Sequence, residues 1–211
     1  MDSSHGCDIP LVLVDYVYNE RISVVSDNVE GMTALTEYIC RCGHKKIAYL
    51  HGEPSAVTRK RLTSFYNCME KYRVTVPDEY VREAQYRNSY IAGVITNELL
   101  DLPEPPTCII YTDDFSAIGG MNVIKDRGLK IPEDISIAGY DGILIASQIE
   151  PVLTTYKQDT KEIGTLAASK LIELIEKPKS TIVASYAVMG QLIEGKSVAE
   201  PKKEVCFRNE V

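Results

Sequence analysis

Short apolar runs alternate with longer amphipathic stretches along most of this chain. The run Leu11-Val12-Leu13-Val14, bounded by Pro10 and Asp15, reads as a buried strand, and RISVVS over 21–26 reads as a second. From Asp27 the spacing changes to threes and fours. Met32, Leu35, Thr36 and Ile39 share one face, Asp27 or Asn28 can cap the start, and Gly43 stands just past the end, which predicts a helix over about 28–42. The alternation then becomes regular, with strand 46–50, helix 59–72, a weaker strand 80–84, helix 89–100 and strand 108–111. A helix from 115 with Ala117, Met121 and Ile124 inward leads to strand 135–139. Because these strands are continuous apolar runs, the pattern predicts an α/β fold with a parallel sheet covered on both faces. After Asp141 and Gly142 the pattern breaks, and ILIASQIEPVLTTYKQD reads as one long irregular connection. A helix over about 160–177 carries the stripe Ile163, Leu166, Ala167, Leu171 and Leu174. Two short strands within STIVASYAVMGQLIEG and a frayed tail over 199–211 end the chain.

Composition narrows the class without naming a function. Of 211 residues, 45% are hydrophobic and 25% charged, ordinary for a globular protein. A net charge of -7 argues against a surface built for phosphate backbones or anionic lipid, so nucleic-acid binding by this chain alone is not expected. The first twenty residues hold neither a basic region nor an apolar run long enough for a signal peptide or membrane span, which predicts a cytoplasmic protein with no membrane partner. The six cysteines show no even framework and fit reduced thiols. Cys40, Cys42 and His44 lie close in sequence but lack a second ligand pair, so no zinc or other metal is expected. Nucleophile-elbow, Walker-A and dinucleotide-binding motifs are also missing; we expect no cofactor and no catalytic residues.

The residues just beyond each strand are more informative. In open parallel sheets, ligands bind beyond the carboxyl ends of the strands. There the sequence places Asp15 and Tyr16, His51, then Thr112, Asp113 and Asp114, and finally Tyr140 and Asp141. Carboxylates accept hydrogen bonds from vicinal hydroxyls and tyrosine faces cover the apolar side of a sugar ring, so the set suits a neutral polyol. The competing reading is that each acid caps the next helix, which Asp113 or Asp114 could do alone. Arg59, Lys60 and Arg61 open the expected helix 59–72, where cations oppose the helix dipole; an external partner explains the placement better than local stability.

These residues, with the ordered segments IPLVLVD, DNVEG, GHKKIAYLHG, RKRLTSF, PPTCIIYTDDFSAIGG, GLKIPEDISIAGYDG, PVLTTYKQD and IGTLAASKLIELI, resemble the effector-binding core of lactose-repressor type (LacI/GalR) transcription regulators. The resemblance spans roughly 9–198. It implies a type I periplasmic-binding-protein-like fold of two doubly wound parallel-sheet subdomains, with a small effector in the cleft. The expected division is 9–26 plus 157–180 for an incomplete N-terminal subdomain and 27–156 plus 181–198 for the C-terminal one. The implied ligand contacts are Asp15, Arg61, Tyr86, Asp113, Asp141 and Gln158; Tyr86 and Gln158 rest on the resemblance alone.

The resemblance further implies a sugar-responsive repressor core without catalysis and a homodimer joined through 115–127 and 142–149. It would hold DNA only through a helix-turn-helix that this chain does not carry. By comparison with the family, that headpiece, a hinge and three β/α units are missing, so the first subdomain should expose apolar surface. The sequence also departs from the family at Asp113 (usually Asn), Gly142 (usually acidic), Ser64 (usually Gly) and Glu194 (usually Arg), which bears on the effector's identity. Two other readings stay open: a solute-binding protein for sugar transport and a non-functional repressor fragment. A small sugar-active enzyme is the third.

Overall fold

A computed structural model describes residues 9–18 and 21–202 of the protein, which divide into two compact units. Among the described residues, the smaller comprises 9–18, 21–27 and 158–190, the larger 28–157 and 191–202. The segment 181–198, expected wholly in the C-terminal subdomain, is divided between the two. Its first strand joins the smaller unit because its backbone pairs there, and its second stays with the larger.

The larger unit contains α1 (Asn28–Arg41), β3 (Ile47–His51), α2 (Ala56–Lys71), β4 (Val81–Glu83), α3 (Ser89–Leu100), β5 (Cys108–Ile110), α4 (Asp114–Asp126), β6 (Ser136–Asp141), β7 (Thr154–Lys157) and β9 (Gln191–Ile193). Its sheet runs β4-β3-β5-β6-β7-β9, parallel throughout except for the last pair. Successive strand residues feed opposite faces. Ala48, Leu50, Ile109 and Ile137 pack with Ala92, Leu99, Ala117, Met121 and Ile124 of α3 and α4. Ile47, Tyr49, Ile110, Ala138 and Tyr140 pack with Met32, Leu35, Ile39, Phe65 and Met69 of α1 and α2. Both faces are therefore covered, as the continuous apolar runs require.

The smaller unit has a parallel sheet ordered β1-β2-β8, from β1 (Val12–Val14), β2 (Ile22–Ser26) and β8 (Ser185–Val188), with α5 (Thr160–Glu176) against it. Its core is Val24, Ile163, Ala167 and Val188. The expected burial of the first strand fails, since Leu11 is 46% and Val14 51% exposed. Ile172, Ile175, Ile182 and Val183 are likewise exposed.

Two element expectations need correction. The helix expected from 59 begins at Ala56, capped by Ser55, whose side chain accepts from the Thr58 amide, so the basic cluster does not open it. The connection after Gly142 is not one loop: Thr154–Lys157 form β7 between β6 and β9. Its polar composition hides it, yet Thr154, Thr155 and Tyr156 are buried with their hydroxyls satisfied. The Thr155 hydroxyl donates to Asp114 Oδ1 at 2.6 Å, Thr154 Oγ1 accepts from the Gly195 amide at 3.1 Å, and the Tyr156 hydroxyl donates to Glu30. Of the expected frayed tail, Ala199 is tied to Ser136 through its amide, and 203–211 lie outside the described residues.

Candidate functional site

In the larger unit, β3, β5 and β6 deliver His51, Thr112 with Asp113, and Asp141 to one end of a parallel sheet. Arg61 approaches from the second turn of α2. It is 4% exposed and held from three sides. Nε donates to Asn28 Oδ1 at 2.8 Å, Nη1 donates to the Thr112 carbonyl at 3.1 Å, and the guanidinium carbon lies 3.6 Å from the centre of the Tyr140 ring. A guanidinium has five N–H donors in a fixed fork, and those two hydrogen bonds occupy two of them. The external-partner argument drawn from the helix start therefore falls, while this geometry gives Arg61 a stronger role.

Tyr86 lies beside this group, its ring centre 6.0 Å from the Arg61 guanidinium carbon. Its hydroxyl is 3.1 Å from Thr58 Oγ1, and its ring covers the backbone of Gly52, where a Cβ would come within 2.0 Å of it. Only glycine at the end of β3 lets the ring lie there. Tyr140 behaves differently from its expected place in a sugar-facing wall. It is 1% exposed, with Arg61 on one side and Tyr156 at 5.3 Å between ring centres. It is the platform beneath the guanidinium.

The choice between cap and ligand group resolves separately at each acid. Asp113 is the α4 cap: Oδ1 accepts from the Ser116 amide at 2.9 Å and Oδ2 from the Arg87 amide at 2.7 Å. At 1% exposure, it organises the loop carrying Tyr86 and Arg87 rather than presenting an open carboxylate. Asp141 ends β6 with φ 103, a left-handed conformation costly for a residue with a side chain. Gly142 comes next with φ 67, and a Cβ there would stand 2.5 Å from Lys157 Cα, which explains why no acidic side chain occupies that position. In the smaller unit, Asp15 lies just past β1 with φ 53 and accepts from the Ser26 amide at 3.3 Å, and Gln158 precedes the α5 cap Asp159. Four of the six candidate residues thus belong to the larger unit and two to the smaller.

Sequence reasoning took Asn28 only as a possible cap and missed its bond to Arg61. The aromatic-acid pair Tyr140-Asp141 carried a signal, but for the wrong task of its ring. His44 is buried between Thr107 Oγ1 and the Ala199 carbonyl, each at 2.8 Å, and burial lowers its pKa. Burial pushes the Cys40 thiol up to about 12 and the Cys108 thiol well above its usual range, which suits packing rather than nucleophilic chemistry. Among the described residues, no cluster of His, Cys, Asp and Glu is placed to hold a metal, and no helix is long and apolar enough to cross a membrane.

The family model for the periplasmic binding protein-like domain matches residues 36–198. The chain belongs to that family. Among its relatives are transcriptional repressors: it is 33% identical over 177 residues to the probable HTH-type transcriptional repressor ExuR of Bacillus subtilis, covering 82% of this chain and 53% of that protein. It is 33% identical over 197 residues to the HTH-type transcriptional repressor PurR of Haemophilus influenzae, covering 90% and 57%. The chain spans about half the length of these curated relatives. A solved LacI family transcriptional regulator from Enterococcus faecium with bound ribose superposes with a TM-score of 0.82 at 26% identity, covering 92% of this chain and 72% of that one.

Proposed function

We propose that this periplasmic-binding-protein-like chain is the effector-sensing core of a transcriptional repressor, taking a neutral sugar and catalysing nothing. The observation that carries the reading is the buried Arg61 fork. Its position is fixed by Asn28, Thr112 and Tyr140, and donors are left for a ligand. A pre-positioned side chain loses little freedom on binding, so its hydrogen bonds convert well into affinity. Asp141 supplies the complementary acceptor and Tyr86 an apolar face. Asp113 acts through the loop it holds, and Asp15 and Gln158 are assigned as further contacts by family resemblance. The ribose-bound regulator from Enterococcus faecium supports a sugar of that size.

In an intact repressor the sugar would act by its differential affinity for two arrangements of the protein, and so alter operator binding by a helix-turn-helix domain. The setting is cytoplasmic and the protein a homodimer, with α4 and the 142–149 segment at the interface. The test is a thermal-shift panel of D-ribose, D-xylose, D-glucose, D-galactose, lactose and adenine on this chain. A sugar present at 100 times its Kd adds about 2.7 kcal/mol of stability and raises the midpoint by several degrees. A shift with adenine and with none of the sugars would contradict the reading. Turnover of a sugar that also shifts the midpoint would return the protein to the enzymes.

A further inference from the structure

Asp114 is fully buried, and the turn that carries Asp141 closes onto it. Its Oδ2 accepts from the Ile143 amide at 2.8 Å and its Oδ1 from the Thr155 hydroxyl at 2.6 Å. Gly139, two residues before Asp141 on β6, makes room for this carboxylate, because a Cβ there would stand 2.3 Å from Asp114 Oδ1. A left-handed, non-glycine residue such as Asp141 persists only where its surroundings over-determine it. Here one carboxylate takes the amide two residues beyond Asp141 and a hydroxyl from the neighbouring strand β7, clamping the turn from both sides.

The arrangement is costly for stability. The Asp114 carboxyl is raised to about 7: burial pushes it up most, the Thr155 hydroxyl and the Ile143 amide pull it down, Asp141 pushes it up and the Gly142 amide pulls it down. Asp141 is the charged group acting on it. Thr155 and the two amides do not titrate near neutrality, and Gly139 and Leu153 pack against it without charge. An uncharged cap would hold a loop without this burial cost, so a titratable carboxyl that clamps the Asp141 turn points to a role in binding.

We propose that Asp114 is a positioning residue for effector recognition, its buried carboxylate fixing the Asp141–Ile143 turn so that Asp141 meets the ligand in one orientation. The proposal rests on the sugar-binding reading and deepens it. Asp114→Asn keeps an acceptor for the Ile143 amide and a donor for a reversed Thr155 hydroxyl, but removes the charge. The sign of the stability effect comes from the raised pKa: the contribution is present below about pH 4 and lost as pH rises through about 7. At pH 8 the Asn variant should therefore melt no lower than the wild type.

Titration of both proteins with the panel sugars between pH 6 and 8 tests the proposal. The wild type should weaken as pH falls below 7, and the Asn variant should bind at least about tenfold more weakly at pH 8 with a flat profile. Thr155→Val, which removes one clamp and leaves the carboxylate, should weaken binding by about threefold, and this variant decides the matter if Asp114→Asn melts early. A wild type that binds a sugar while the Asn variant binds it equally at pH 8, or while Thr155→Val leaves affinity unchanged, overturns the proposal and leaves the sugar reading standing. A wild type that binds no sugar overturns both.

Discussion

The two units answer the same physical problem unequally. The larger closes a six-stranded sheet between two helical layers, and each face buries a continuous cluster. The smaller has three strands and one helix around a core cluster of Val24, Ile163, Ala167 and Val188, with isoleucines and valines left at its surface. Both are built mainly from parallel strands, and parallel sheets are stable when both faces are covered. The larger unit meets that condition among its own residues and can hold strained, charged groups such as Asp141 and Asp114 at its strand ends. The smaller holds its own left-handed acid, Asp15 with φ 53, exposed at the surface rather than packed against a core.

Matched substitutions should break or sharpen this contrast. The largest expected effect is at the cores. Ile39→Ala, at a site 0% exposed in the larger unit, should cost about 3 kcal/mol by urea unfolding, whereas Ile163→Ala, at a site 3% exposed in the smaller, should cost no more than about 1, because its sparse surroundings can collapse. Equal costs would erase the distinction. Next comes Arg61→Ala, which strips Asn28 and the Thr112 carbonyl of a buried donor and should cost about 1–3 kcal/mol while removing any sugar-induced shift. The smallest effects belong to the surfaces. Ile172→Ser on exposed α5 and Arg82→Ala, which breaks the 2.5 Å pair with Glu98, should each stay within about 0.5 kcal/mol. A large loss at Ile172 would mean that the smaller unit's surface is more tightly packed than its exposure indicates.

Much of the larger unit is legible in the sequence because its strands are continuous apolar runs and its helices carry regular stripes. Helix 89–100 is legible to the residue, since Asn88 caps it and SYIAGVITNELL keeps the period. Strand β7 is not, because its buried hydroxyls need partners at Asp114 and Gly195 that no local pattern reveals. The site divides similarly. Acids at strand ends can be found from topology alone, but which acid caps and which faces a ligand depends on bonds between residues far apart in sequence. Asn28 and Arg61 are 33 positions apart, and Asp114 and Thr155 are 41. Tyr140 stands at the end of its strand as the pattern predicts, and only packing shows that Arg61 covers its ring.

The central claim is that Arg61 and Asp141 together grip a sugar, and calorimetric titration of the chain with the sugar giving the largest thermal shift tests it most directly. We predict saturable one-site binding by the wild type and none by Asp141→Ala at the same concentrations; alanine keeps a Cβ at the φ of 103 and so does not relieve that strain, and the variant should still unfold cooperatively with a midpoint no higher than the wild type's. Binding by Asp141→Ala with wild-type affinity would contradict the claim and reduce Asp141 to the last residue of a strand.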